Sequence, residues 1–397
     1  MTIITERIES MIQIGCTRKL LDFLGVPVAA KARETDPLFD FSANLILIKR
    51  RKCIAVVNNA TGCGFVIYGA TADNKRDLQE ALAAGLQNML ESENYAEDVI
   101  RRYLADCAFP AVICATADRS AAAKMNKFCQ RIANLADFFE TDDRFQTILL
   151  PLINDGYRTT NKGKGEGFFT FEEQERLFRE RYGKLYGVRV GIFDVSLQLE
   201  TPCVRRVMIP MHFSLFYLHD VIQNLFLWED CHLHEFILKT SKDGRPRQIA
   251  SIPDLMDEDV VEFIGCEVLD EREITLDHVF SKTNSVTYVY DFGDEWTHEI
   301  RLLKTVDDAD VPAPVCMDVT GDAPPEDCGG PWGFSKLLRV LNNPMDPAYD
   351  ETVQWNGSAR IIQKSAQWIN SDLRRRYLAG ALRLFKIAYD EEPDESF

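Results

Sequence analysis

The spacing of apolar residues changes several times along this chain, and the changes divide it. Three short apolar runs, Asn44–Ile48, Cys53–Val57 and Cys63–Tyr68, are parted by "KRRK" and "NNATG". Runs of that length separated by residues that favour turns predict strands joined by hairpins, a meander. From Lys75 the period lengthens. Leu78, Leu82, Leu86 and Leu90 recur every four residues in "RDLQEALAAGLQNMLES", which places them on one buried stripe of a helix. "AEDVIRRYLADC" and "SAAAKMNKFCQRIANLADFF" continue as helices, and Thr17 is placed to cap another in "CTRKLLDFL". Residues 1–155 thus read as an α+β domain with a strand cluster followed by helices.

Between 156 and 187 the apolar period disappears. "GYRTTNKGKGEGF" is rich in Gly, Lys and Thr and predicts an exposed linker. It lacks the Lys-Ser/Thr pair of a phosphate-binding loop. The charged helix "TFEEQERLFRERYGKLYG" follows, with Thr170 as its cap and Glu173 completing a capping box. A second α+β domain spans 188–397. Its strand-like runs are "VRVGIFDVSLQLE", "CVRRVMIP" and "HLHEFIL". Its first helix carries Leu215, Leu218, Ile222, Leu225 and Phe226 on one stripe behind Ser214. The chain from "FSKLLRVLNN" to "DLRRRYLAGALRLFKIAY" reads as mostly helical. The expected class is α+β in two domains, each a small, mostly antiparallel or mixed sheet packed with helices.

"YVYDFGDEWTHEI", Tyr288–Ile300, is the densest motif. A loop of Gly293, Asp294 and Glu295 would pair Phe292 with Trp296, Tyr290 with His298 and Tyr288 with Ile300, gathering the rings on one face. Trp296 and Tyr290 then read first as core anchors. Asp291, Asp294 and His298 are the polar members of the motif.

Composition narrows the function. The formal net charge is −17. Such a chain repels polyanions, so broad nucleic-acid binding is not expected. No C-x-x-C pair occurs among the eleven cysteines, which read as reduced, mostly buried thiols. The N-terminus has charges among its apolar residues and is no signal peptide, and no apolar run is long enough to span a bilayer. The expected setting is cytoplasmic.

Three segments in order, "LHDVIQNLFLWEDCHLHEFIL", "YVYDFGDEWTHEI" and "GDAPPEDCGGPWGFSKLLRVLNNP", resemble the plasmid pRiA4b ORF-3-like family over Val188 to about Tyr377. The family's usual Trp and Tyr are replaced by Val204 and Phe334, which keep an apolar body. "CTRKLL" and "ANLILIKRRKCIAVVNNAT" resemble a bacterial domain of unknown function. The resemblance implies a compact fold with a mixed sheet and a link to mobile elements or phage defence. It implies no established chemistry.

All six histidines lie in the second domain. His232 and His234, two apart on a strand, would point to one face, with His219 on the preceding helix. In "PPEDCGG", two prolines and two glycines hold Glu326 and Asp327 on a formed loop. No catalytic constellation is complete. The leading expectation is a binding or adaptor protein that recognises a protein partner or small ligand, with no cofactor, through His232, His234, Asp291, Asp294, Trp296, His298, Glu326 and Asp327. The alternative is a metal-dependent hydrolase acting on nucleotides or nucleic acid. It would hold a divalent cation with His232, His234, Asp294, His298 and Asp327.

Overall fold

The structure is a computed structural model that describes residues 11–30, 35–71, 77–116, 119–159, 167–240, 246–252 and 266–359, together with Ile369 and Leu373. The basic run 160–166, most of the helix expected at 372–389 and the acidic tail lie outside these residues. The chain divides between Gly187 and Val188 into two compact units. Both are α+β. Among the described residues no helix is long and apolar enough to cross a membrane.

The first unit is built on a mixed sheet of five strands: β1 (Gln13–Cys16), β2 (Asp40–Ile48), β3 (Arg51–Asn58), β4 (Gly64–Ile67) and β5 (Val112–Ala115), in the order β4-β3-β2-β1-β5. The β2-β3-β4 meander is the expected one. Lys49 and Arg50 form its first turn with φ of 45° and 64°, the left-handed pair that a tight hairpin requires. Strands β1 and β5 were not expected; β1 runs parallel to both β2 and β5. At four residues each they are too short for an alternation to show. Helix α1 (Arg18–Leu24) follows Thr17, whose hydroxyl bonds Asn44 instead of capping the helix. Helix α2 (Leu78–Ser92) buries all four stripe leucines. Its Gly85 lies so close to Phe65 that a Cβ would sit 2.2 Å from the ring. Helices α3 (Glu97–Asp106), α4 (Arg119–Asn134) and α5 (Leu150–Asn154) complete the cover.

The stretch read as linker and charged helix belongs to this unit. A hairpin, β6 (Tyr157–Thr159) with β7 (Gly167–Phe169), leads into α6 (Thr170–Tyr182). Phe178 of α6 is buried, its ring 4.8 Å from Tyr103 and 5.2 Å from Tyr95. The cap falls one residue earlier than expected. Glu172 accepts from the Phe169 amide at 2.8 Å, while the Thr170 hydroxyl turns back to the Asn154 carbonyl.

The second unit folds around an eight-stranded sheet, larger than its short runs suggest. Its strands are β8 (Val188–Leu197), β9 (Cys203–Pro210), β10 (His234–Thr240), β11 (Pro246–Ser251), β12 (Glu267–Asp270), β13 (Ser285–Tyr290), β14 (Trp296–Ala309) and β15 (Val315–Thr320). The order is β12-β11-β10-β13-β14-β8-β9-β15, antiparallel except for the β11-β12 pair. Helices α7 (Leu215–Phe226), α8 (Leu276–Phe280), α9 (Gly330–Leu341) and α10 (Tyr349–Ala359) accompany it. The apolar stripe of α7 enters the core with Trp228, Phe236, Tyr288, Tyr290 and Trp296. Phe334, on α9, is buried in the same core. Arg205 is 2% exposed. Its guanidinium donates to the carbonyls of Leu225, Thr320 and Gly321 at 3.1, 2.9 and 3.1 Å, so a buried cation ties the end of α7 to the edge strand.

Candidate functional site

The aromatic row is present, but its register differs from the expected one. Tyr290 pairs with Trp296, Tyr288 with His298 and Val286 with Ile300. The connection is therefore the five residues 291–295. Asp291 takes a left-handed φ of 56° and its Oδ1 accepts from the Gly293 amide at 2.9 Å. Its carbonyl then accepts from Glu295, which has φ of 52°. Asp tolerates this conformation, so the turn begins one residue after Tyr290. Phe292 is thereby turned out of the row and is 46% exposed. The shift is by two residues, so the buried face is unchanged: Val286, Tyr288, Tyr290, Trp296, His298 and Ile300 all point inward.

Behind this row most polar groups are tied to one another within the unit, while Trp296 Nε1 and His298 Nε2 are buried without a hydrogen-bond partner. Gln223 Oε1 accepts from the Asp230 amide, which fixes its orientation, and its Nε2 donates to the Tyr288 hydroxyl at 3.2 Å. That hydroxyl is left to donate to His219 Nδ1, 2.7 Å away. His219 then carries its proton on Nε2, 2.8 Å from Asp230 Oδ1. The ring of His219 stacks on that of His234 with centroids 3.6 Å apart and planes 8° from parallel. His234 Nε2 lies 2.9 Å from an oxygen of Glu271, a fully buried carboxylate. Burial holds the Tyr288 hydroxyl well above its ordinary pKa. His298 is also fully buried, its Nδ1 3.1 Å from the Trp296 carbonyl. Desolvation lowers its pKa to about 3, so it is a neutral core group.

The open end of the row is different. Segment 227–233 leads into β10, the loop 291–295 follows β13, and "PPEDCGG" leads into α9. These three segments are tied together. Trp228 Nε1 donates to the Pro324 carbonyl at 2.9 Å, and the Tyr290 hydroxyl donates to Glu326 Oε1 at 2.6 Å. Glu326 Oε2 accepts from the Glu229 amide at 2.8 Å. Asp294 Oδ2 accepts from the Gly329 amide at 3.2 Å. Gly330, with φ of 66°, sits where a Cβ would be 2.5 Å from the Asp294 carbonyl, so only glycine lets the two loops meet. His232 lies among them. Its Nε2 is 3.3 Å from Asp327 Oδ1 and 3.6 Å from Asp291 Oδ2. Its ring stands edge-on to Tyr290. Around these groups Leu233 and Phe292 are exposed, and so is Trp332 in the first turn of α9.

Of the expected site residues, the structure brings His232, Asp291 and Asp327 together, with Glu326 and Asp294 anchoring the loops beside them. Trp296 and His298 are not at the surface; both are buried in the core, because the row they belong to is its packed face. His232 and His234 do not share a strand, since β10 starts at His234. The first is half-buried in the loop and the second is held inside by Glu271. The five-residue metal set expected for a hydrolase therefore does not converge. Asp294 is occupied by Gly329, His234 by Glu271, and His298 lies in the apolar interior. Among the described residues three other groups place ligand atoms together: His219 with Asp230 and His234, Glu229 with Cys231 and Glu326, and His232 with Asp291 and Asp327. Sequence reading missed Asp230, Glu271 and Cys231 as neighbours of these histidines. Asp230 and Cys231 lie next to His232 in "WEDCHLH", which was the available signal. Glu271 had none, because it arrives through the β11-β12 pairing.

Comparison with known proteins agrees with this organisation. Residues 189–371 match the family described as plasmid pRiA4b ORF-3-like protein. Residues 13–168 match a domain of unknown function (DUF6933). An uncharacterized protein, y4hQ, of Sinorhizobium fredii (strain NBRC 101917 / NGR234) is 33% identical over 177 residues, 44% of this chain and 84% of that protein. A crystal structure of a protein of unknown function, MM3350, from Methanosarcina mazei Go1 is 28% identical, with a TM-score of 0.39 over 45% of this chain and 96% of the other. Through its second unit, the chain belongs to the plasmid pRiA4b ORF-3-like family.

Proposed function

We propose that the second unit is a binding module that recognises a partner through the surface formed by segments 227–233, 291–295 and 324–330. The observation that carries this reading is the contrast in cover. The inner imidazoles are hydrogen-bonded or packed away, whereas His232, Asp291 and Asp327 form a partly exposed group on a rigidly braced loop cluster. Glu229, Glu295 and Glu326 add negative charge around it, and Leu233, Phe292 and Trp332 add apolar area. That combination suits a cationic segment with apolar neighbours, such as a basic stretch of a protein partner, or a small cationic ligand. The plasmid in the family's description supports a setting among mobile elements or phage defence. All eleven cysteines are free thiols, which supports a reducing, cytoplasmic compartment.

Titration with a panel of Lys/Arg-rich and Asp/Glu-rich peptides, followed by tryptophan fluorescence, tests the reading. The expected result is salt-sensitive binding of the cationic peptides, lost in the Asp291→Asn, Asp327→Asn double variant. Equal binding of both peptide classes, or an unchanged response in the variant, contradicts it.

A further inference from the structure

We propose that His232 Nε2, Asp291 Oδ2 and Asp327 Oδ1 form a three-ligand site for a divalent cation of the zinc class, with a fourth position open to water or to a donor from the bound partner. This rests on the binding surface described above and gives it a chemistry. Distance is the first argument. The imidazole nitrogen is 3.3 and 3.6 Å from the two carboxylate oxygens, longer than charge-assisted hydrogen bonds, which run at about 2.7–2.9 Å. Metal–ligand bonds of about 2.0–2.2 Å in tetrahedral array put neighbouring ligand atoms roughly 3.3–3.6 Å apart. The same bonds in an octahedron would bring cis ligands to roughly 3.0 Å. The three ligand atoms all lie within 4.8 Å of one another. The two imidazole–carboxylate separations are those of a tetrahedral edge.

Positioning is the second argument. Asp291 is held by the Gly293 amide on Oδ1, which leaves Oδ2 turned toward His232. Asp327 is held by its place between Glu326, bonded to Tyr290, and Gly329, bonded to Asp294. The Tyr290 ring, 5.8 Å from that of His232, borders the imidazole on one side. One neutral imidazole and two carboxylates would neutralise a dication.

The other two groups fit a cation poorly. A shared ion between His219 and His234 would lie half the 3.6 Å ring spacing out of each imidazole plane, away from the nitrogen lone pairs. Both oxygens of Glu326 are already accepting, from Tyr290 and Glu229.

The test uses the untagged full chain, stripped with chelator and titrated with Zn²⁺ by calorimetry and with Co²⁺ by visible absorption. One equivalent should bind, and Co²⁺ should give the intense visible bands of a tetrahedral site without a thiolate charge-transfer band. His232→Ala, Asp291→Asn and Asp327→Asn should each weaken binding by at least tenfold, and Cys231→Ser should leave it unchanged. Failure to bind one equivalent, indifference to His232→Ala, or loss of binding in Cys231→Ser overturns the assignment. If the cation fails to bind while cationic peptides still do, the metal site falls and the recognition surface stands. If neither binds, both fall.

Discussion

Two sets of histidines and carboxylates lie within one sheet-based unit and do opposite things. His219 and His234 are stacked inside, each tied to a carboxylate and, through Tyr288 and Gln223, to each other's surroundings. His232, next to the same aromatic row, meets Asp291 and Asp327 only at 3.6 and 3.3 Å, while the other oxygen of Asp291 is taken by the Gly293 amide. The chemistry of the groups is the same. What separates scaffold from site is cover: β10 begins at His234 and takes it under α7, whereas His232 is still in the loop. A buried imidazole–carboxylate pair specifies packing. The same pair left loosely matched at a braced edge retains interaction energy for something else.

The comparison is sharpened most by attacking the inner set. Glu271→Ala strands His234 Nε2 in the interior and should cost about 3–5 kcal/mol, read as a lower urea midpoint. A small loss would mean that the stacked pair is not part of the scaffold. His298 gives the next largest effect. Its folded pKa of about 3 lies below that of an unfolded histidine, so the unfolded chain binds the extra proton first. Stability should therefore fall by a few kcal/mol as pH drops from about 6.5 towards about 3, at about 1.4 kcal/mol per pKa unit. His298→Leu should flatten that slope in pH-dependent denaturation, whatever its own stability. Tyr288→Phe removes the hydroxyl shared by His219 and Gln223 and should cost about 1–3 kcal/mol by the same denaturation assay. At the open end, Asp291→Asn and Asp327→Asn should change stability by less than about 0.5 kcal/mol each while abolishing cationic-peptide binding. A large unfolding effect there would make the outer group a second piece of scaffold.

Local pattern carried much of the fold. The leucine stripe of α2, the β2-β3-β4 meander and the inward face of the β13-β14 hairpin follow from periodicity, and each needs only neighbours in sequence. The hairpin's register did not, because it depends on Asp291 adopting a left-handed backbone instead of Gly293 supplying the turn. That choice moved Phe292 out of the core and His298 opposite Tyr288. Three members of the candidate site, His232, Asp291 and Asp327, were legible as polar residues in fold-forming motifs. Their separation from Trp296, His298 and His234 was not, since burial of those residues is decided by tertiary cover. Glu271 and Arg205 illustrate the limit. Each is a buried charge whose partners lie tens of residues away, at His234 and at Leu225, Thr320 and Gly321.

Imidazole NMR of the full chain tests the central contrast most directly, because the six histidines are few enough to assign by single substitutions. On addition of a Lys/Arg-rich peptide, the His232 resonances should shift while those of His219, His234 and His298 stay in place. Movement of the inner three with His232 unmoved would contradict the account.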